Sequence, residues 1–436
     1  MKPTHYLISF LFIGLSYGAL GQENPNSVLS KGIKYTIDER STLSFHFGTQ
    51  VWARYMQVNP GTRDVNGQCI SDFYDVDLRR TRFSLYSSFL DDKFVVYTQF
   101  GMNGQTFSSI SKPQIFFHDV WSAFQFFGGK LYAGMGLHGW GGVSRIGSVS
   151  YAKNIMLDHP GFNFPNLGKT DQAGRQVGIF IKGNVAGFNY RFSLDNPFVR
   201  NELDSIAFME SVYAPNSNTA VKGYVFYSFL DEEKFKSSYV PMSYLGKKKV
   251  LNLGAGFDFH PKSMASLNAS SQQIFHDKKN FGIDLFLDYP FTNKSVLTLY
   301  TTALFYDYGP NHVRTYGVMN PVKTGDYAQG GGNYHYNVGT GTIYFGLAGF
   351  ILPESWQPFS GKFQPIVAVH YKDFEGLNEA SLKYDLGINY LISGHNAKVN
   401  LQYSSWNFYQ GTSGFESDAT ISSQKGMLVL QVQMYL

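Results

Sequence analysis

Between Val76 and Asn103 the chain alternates twice, in two runs joined by the short polar turn Leu90-Asp91-Asp92-Lys93. In the first run Asp77, Arg79, Thr81, Phe83, Leu85, Ser87 and Phe89 share one phase, which becomes apolar toward the turn. Arg80, Arg82, Ser84, Tyr86 and Ser88 form the other, polar throughout. The partner run sets Phe94, Val96, Thr98 and Phe100 against Val95, Tyr97, Gln99, Gly101 and Asn103. Side chains on a strand point to alternate faces, so one face seeks apolar surroundings and the other water. Each run has roughly 10 residues, the length of a tilted strand that spans a bilayer.

The same unit recurs along the chain. The pattern predicts a strand over Leu43 to Val58, then the two runs of the hairpin, then His118 to Phe127 and Lys130 to His138. Further strands are expected over Gly174 to Lys182, Gly187 to Asp195, Thr219 to Leu230 and Val250 to His260. The series continues with Asn280 to Tyr289, Ser295 to Tyr306, Gly339 to Leu352 and Lys362 to Phe374. It ends with Glu379 to Ile392, Ala397 to Trp406 and Lys425 to Leu436. In the final run Leu428, Leu430, Val432, Met434 and Leu436 form one apolar phase, with Gln431, Gln433 and Tyr435 opposite. Connections alternate between short and long, as in membrane barrels with tight periplasmic turns and longer outer loops. Two fit less well: Asp231 to Lys249 is long for a periplasmic turn, and Glu375 to Asn378 is short for an outer loop. The fold class read from this rhythm is all-β, a transmembrane up-and-down antiparallel β-barrel of about 16 strands.

Composition agrees. Aromatics make up 17% of the 436 residues and glycines number 45, while charged residues reach only 16%, below the share usual in soluble domains. Lys2 and His5 precede the apolar run Tyr6 to Leu20, and Ala19-Leu20-Gly21 supplies small residues before a cut at Gln22. That is the pattern of a cleaved secretory signal peptide. The expected organisation is a signal peptide over 1–21, a short polar periplasmic segment over 22–40 and an outer-membrane barrel over 41–436. Cys69 stands alone in a polar stretch and has no partner for an intrachain disulfide. The net charge of +4 gives no indication of a nucleic-acid partner.

On the water-facing phase the register places Arg54, Arg80, Arg82, Arg191, Lys222, His370, Lys372 and Lys383. Asp119, Asp258, Asp284, Asp288 and Asp385 stand against them. Clustered cations favour anions in a pore, because each charge in a partly desolvated constriction lowers the barrier for its opposite. The same residues also suit a salt-bridge network that stiffens the wall. The stretch Gly139 to Thr170 is the constriction candidate, with Arg145 and Lys153 as its cations, or else an ordinary outer loop. No nucleophile elbow, HExxH motif, paired cysteines or phosphate-cradling glycine loop occurs, so the sequence points to no enzyme and no cofactor.

The hairpin carries a family likeness. Leu78-Arg79-Arg80-Thr81-Arg82 and Tyr97-Thr98-Gln99-Phe100 resemble the phosphate-selective porin O/P family of Gram-negative outer membranes. Asp119-Val120-Trp121-Ser122-Ala123-Phe124, Lys130-Leu131-Tyr132-Ala133-Gly134-Met135 and Gly174-Arg175-Gln176-Val177-Gly178 resemble its following strands. The likeness covers Leu43 to Asn196, and the remainder follows in strand rhythm. It implies a sixteen-stranded homotrimeric diffusion channel with the third outer loop folded into the lumen, and it makes Arg80 and Arg82 inner-wall cations. The dense arginine ladder and lysine cluster of the selective members are not evident, and the chain ends in Leu436 where outer-membrane barrels usually end in Phe. The expectation is therefore an outer-membrane porin, seated in lipid, passing small hydrophilic or anionic solutes with a weak preference for anions. The alternative is an occluded barrel that acts as a surface binding or assembly protein.

Overall fold

In the computed structural model, the described residues are 32–436 except 65, 106–114, 140–141, 164–174, 198–200, 216, 234–238, 322–325, 328 and 412–419. The expected signal peptide, and the 22–40 segment as far as residue 31, lie outside them.

Sixteen strands form the wall. They begin after a short strand, β1 (Ile33–Asp38), with β2 (Ser41–Gln57), β3 (Asp72–Phe89), β4 (Phe94–Gln105) and β5 (Phe116–Phe126). Next come β6 (Leu131–Gly139), β7 (Arg175–Val185) and β8 (Phe188–Asn196). After the two-residue β9 (Val212–Tyr213) the wall resumes with β10 (Ala220–Ser228), β11 (Val250–Leu267), β12 (Gln273–Pro290) and β13 (Val296–Asp307). A small hairpin, β14 (Val313–Tyr316) and β15 (His335–Gly339), stands apart. The wall finishes with β16 (Gly341–Ile351), β17 (Lys362–Phe374), β18 (Ser381–Ser393), β19 (Ala397–Gln410) and β20 (Thr420–Tyr435). Neighbours pair antiparallel, and β20 closes on β2 with Val432 opposite Val51. Closure leaves no sheet edge, which a hydrocarbon surrounding demands of any strand structure.

Each of the sixteen alternating runs lies on one wall strand. On β12, Phe281, Ile283 and Leu285 point outward and exposed, while Asn280, Gly282, Asp284 and Phe286 are buried toward the interior. Around the barrel Ile179, Val367, Leu386 and Val432 continue an exposed aliphatic belt. Exposed Tyr55, Tyr74, Tyr344, Tyr371 and Tyr403 gather toward the loop end, and Phe127, Phe188, Phe291 and Trp356 toward the turn end. An apolar band flanked by aromatic girdles is the surface that a lipid bilayer solvates. Val432→Arg, in the middle of the belt, is expected to lower stability by about 2–4 kcal/mol. Urea unfolding in lipid vesicles would read the loss, and an unchanged midpoint would mean that this face does not meet hydrocarbon.

Three expectations need correction. Residues 33–38, read as part of a polar irregular segment, form β1, which pairs with β2 through Ile33 opposite Phe45 and Tyr35 opposite Leu43. β20 stops at Tyr435 opposite Gly48, so β1 takes up the row of β2 hydrogen-bonding groups that β20 does not reach. The second concerns β3, where Gln50 of β2 faces Arg80 but the next residue, Val51, faces Leu78. Arg79 is the extra residue of a β-bulge, and a bulge inverts the alternation beyond it. Asp77 and Arg79, placed by strict alternation on the apolar phase, therefore turn inward beside Arg80 and Arg82, and all four are buried. Third, between the expected strands Ser295 to Tyr306 and Gly339 to Leu352, where the alternation predicts no strand, the chain forms the β14–β15 hairpin.

Candidate constriction inside the barrel

Among the described residues two connections meet each other inside the lumen, and a third, carrying the β14–β15 hairpin, packs on the inner wall with the Tyr336 carbonyl accepting from Lys372 and His335 stacked on Trp406. The first, residues 142–163 in the connection between β6 and β7, crosses to the far wall through short helical turns at Arg145–Ser148 and Gly161–Asn163. Its Val143, Ile146, Ile155 and Phe162 are buried with Phe286, Tyr300, Phe345 and Ile366 of β12 to β17. Gly256 and Gly282, paired across β11 and β12, make the seat. A methyl group added at Gly256 would come within 2.5 Å of the Val143 carbonyl oxygen, and one at Gly282 within 2.9 Å. Gly256→Leu is accordingly expected to lift the loop and to lower stability by about 1–3 kcal/mol through overpacking. A higher single-channel conductance and a lower melting temperature would check this. Unchanged values in a folded barrel would place the loop elsewhere.

The second connection runs from β10 to β11, where the sequence suggested a charged turn too long for its side of the membrane. Its described residues fold inward and meet the first. Ser150 donates its backbone N–H to the Val240 carbonyl at 2.8 Å, Val240 donates to Ser148 at 2.9 Å and Met242 to Lys153 at 3.0 Å, a short parallel β-bridge inside the barrel. Tyr239 donates its hydroxyl to Asp119 of β5 at 2.8 Å, and Ser243 donates to Asp288 of β12 at 3.1 Å.

Two buried charge clusters hold the inserts, one joining them to each other and one joining the first to β3. Arg145 grips Glu233 through both terminal nitrogens at 2.7 Å and donates to the Pro241 carbonyl at 2.8 Å. Its guanidinium carbon lies 3.7 Å from the centre of the Phe286 ring. Arg79 and Arg80, brought side by side by the bulge, share Asp158 of the first insert at 2.6 and 2.8 Å. Arg80 also covers the Tyr151 ring at 3.8 Å. Burial alone would raise the Asp158 carboxyl, but Arg79 and Arg80 outweigh it and hold the group well below the usual carboxylate range. The same balance, with Arg145 as the cation, lowers Glu233.

His159 is pushed down to about 4, chiefly by burial. An unfolded chain takes up this proton near pH 6.5, whereas the folded protein resists it until about 4. The contribution of His159 to stability is thus complete above 6.5 and is lost as pH falls through that interval. Unfolding followed from pH 7 to pH 4 is expected to show the decline. His159→Gln should make it shallower, and an identical slope in that variant would refute the assignment.

The remaining predicted cations lie on the inner wall, most with partners. Arg54 is buried on Asp75 at 2.7 Å, and Arg82 donates to the Met102 carbonyl at 2.5 Å and to Asn103. Lys222 is buried 3.1 Å from Asp195, and Lys372 is buried with its ammonium donating to the Tyr336 carbonyl. Lys383 and His370 converge on Asp385, at 2.5 and 2.7 Å. Arg191, half-buried, donates to the Ser148 hydroxyl. Lys153 is exposed. Sequence reasoning missed Arg79, Asp158 and Glu233, and it also passed over Asp195, Lys182 and Lys278. Asp195 and Lys182 were legible, since they share the inner phase of strands that the alternation predicts. Lys278 pairs with Asp258 at 2.8 Å but lies before the expected start of its strand. Among the described residues no cluster of His, Cys, Asp or Glu could hold a metal ion.

No family model matches the chain, and no curated protein matches it in sequence. Solved structures do match in fold. One is Salmonella typhi OmpF in complex with daunomycin, at 8% identity and a TM-score of 0.52, covering 92% of this chain and 100% of that one. Outer-membrane expressed OmpT of Vibrio cholerae matches at 10% identity and a TM-score of 0.50, covering 92% and 99%. The anion-selective porin from Comamonas acidovorans matches at 12% identity and a TM-score of 0.49, covering 91% and 100%. At these identities the likeness is one of fold, and the phosphate-selective family remains a resemblance carried by the sequence motifs alone. The fold is the closed sixteen-stranded antiparallel barrel of porin type.

Proposed function

We propose that this protein is an outer-membrane channel through which small hydrophilic solutes diffuse passively, with no cofactor and no chemistry. One observation carries the reading: a closed barrel with an apolar belt outside encloses a polar inner wall, and two inserts fold into it from opposite ends. A wall of this kind lets water and polar solutes cross the thickness that the belt fits to lipid. Selectivity among ions follows from the pairing of charges. Arg54, Arg80, Arg145, Lys222 and Lys383 each face a carboxylate. Their fields are largely cancelled, which favours a weak anion preference over a phosphate-type filter. We extend the reading to a signal-directed homotrimer, and crosslinking of the protein in native membranes would check the trimer.

The experiment is reconstitution in a planar bilayer under a potassium chloride gradient. Steady ohmic steps with a reversal potential biased slightly toward chloride are expected. A correctly folded barrel that passes no current would overturn the channel reading. It would favour the occluded surface barrel, for which the apolar packing of the first insert around Phe162 and Phe345 speaks directly.

A further inference from the structure

A cavity of about 460 Å³ opens between the turn end of β5 to β8 and Val240 of the second insert. Its size is that of small-molecule sites, and its walls combine aromatic surface with a few polar groups in the manner of such sites. Lys182 and Arg191 both line it. The Lys182 ammonium sits 4.6 Å from the Trp121 ring centre and 5.7 Å from that of Tyr132, and the Arg191 guanidinium lies 5.3 Å from that of Tyr224. Aromatic faces help to hold each cation at the cavity wall through the attraction of the ring quadrupole. Asn189, two residues before Arg191 on β8 and on the same face, is buried, and its side-chain N–H has no acceptor among the described residues. Such a donor is satisfied by an acceptor arriving from outside the protein. Glu232 is the one carboxylate among the lining residues.

We propose that this cavity is a binding station for a small organic monoanion in which a carboxylate is joined to a ring. Lys182 and Arg191 attract the carboxylate, Asn189 donates to it, and Tyr132, Tyr224 and Phe226 cover the ring. A compact polyanion such as phosphate would use the lining cations, Lys130 included, but would leave the faces of Tyr132, Tyr224 and Phe226 without a partner, and the ring of the monoanion covers them. The inference rests on the channel reading for its place on a transport route, but the site itself is testable without conduction.

The test is calorimetric titration of the mature, detergent-solubilised full barrel with benzoate, with benzamide as its uncharged counterpart and with inorganic phosphate. Saturable benzoate binding is expected, with benzamide and phosphate at least tenfold weaker. Lys182→Met and Asn189→Asp should each weaken benzoate at least tenfold, and Lys182→Arg should restore most of the Lys182→Met loss. Arg191→Met carries the same expectation should Lys182→Met fail to fold. Equal affinity for benzamide, preference for phosphate, no binding at all, or variants that bind as tightly as the parent would each overturn the proposal. Planar-bilayer recording separates the two readings. A barrel that conducts but ignores benzoate removes the station and keeps the channel, whereas one that binds benzoate but passes no current does the reverse.

Discussion

Replacing Glu233 by alanine is expected to raise the single-channel conductance at least twofold and to make the open level noisy. Glu233 accepts both terminal nitrogens of Arg145 at 2.7 Å, and it also accepts from Tyr244 and Asn252. Its loss leaves a guanidinium buried among apolar groups without its counter-charge, a change that costs about 3–5 kcal/mol when one partner of a buried pair is removed. The strain falls on the junction, because Arg145 belongs to one insert and Glu233 to the other. The β-bridge at Val149 and Val240 would then be the principal direct tie between them. Converting the pair together, as Arg145→Met with Glu233→Met, is expected to recover much of the stability and the parental conductance, since apolar isosteres often replace a buried pair without loss. Parental conductance and melting temperature in a folded Glu233→Ala barrel would show that the inserts are held without this pair.

Asp158→Asn is the second large effect. One carboxylate there faces two buried guanidiniums, Arg79 and Arg80, and the amide keeps its shape while removing its charge. Two cations are released toward the lumen at the level where the first insert crosses it. The chloride-to-potassium permeability ratio is expected to rise severalfold, read from the reversal potential, with a loss of roughly 3 kcal/mol in stability. Acid should not mimic the variant at moderate pH. The Asp158 carboxyl is held below its ordinary range, so its stabilisation is present above the unfolded value of about 3.9 and fades only as pH falls below it. An unchanged reversal potential in Asp158→Asn would remove this cluster from the permeation path.

The interplay of pattern and packing is plainest on β3. Strict alternation assigns Arg80 and Arg82 to the interior, and both are there. It assigns Arg79 to the lipid side, and the bulge against Gln50 and Val51 brings it inward instead. A single inserted residue inverts every position beyond it, and nothing in the local sequence marks where the partner strand will skip. The reach of the second insert was hidden for a different reason. Its length was visible as an anomaly among tight turns, but its destination depends on Val149 and Arg145, which lie some ninety residues earlier.

What the sequence determined by itself was the wall: about sixteen strands, their order, and, apart from the stretch of β3 beyond its bulge, the face each presents to lipid or water. Period-two alternation is a local property, and the contrast between hydrocarbon and water enforces it residue by residue. What only the tertiary structure decided was the interior, where inserts meet, which carboxylate each cation faces, and what space remains. Those outcomes depend on pairs remote in the chain, such as Arg79 with Asp158 and Lys222 with Asp195. A buried charge is settled by whichever opposite charge the folded barrel brings within reach, and no periodicity along one strand encodes that meeting.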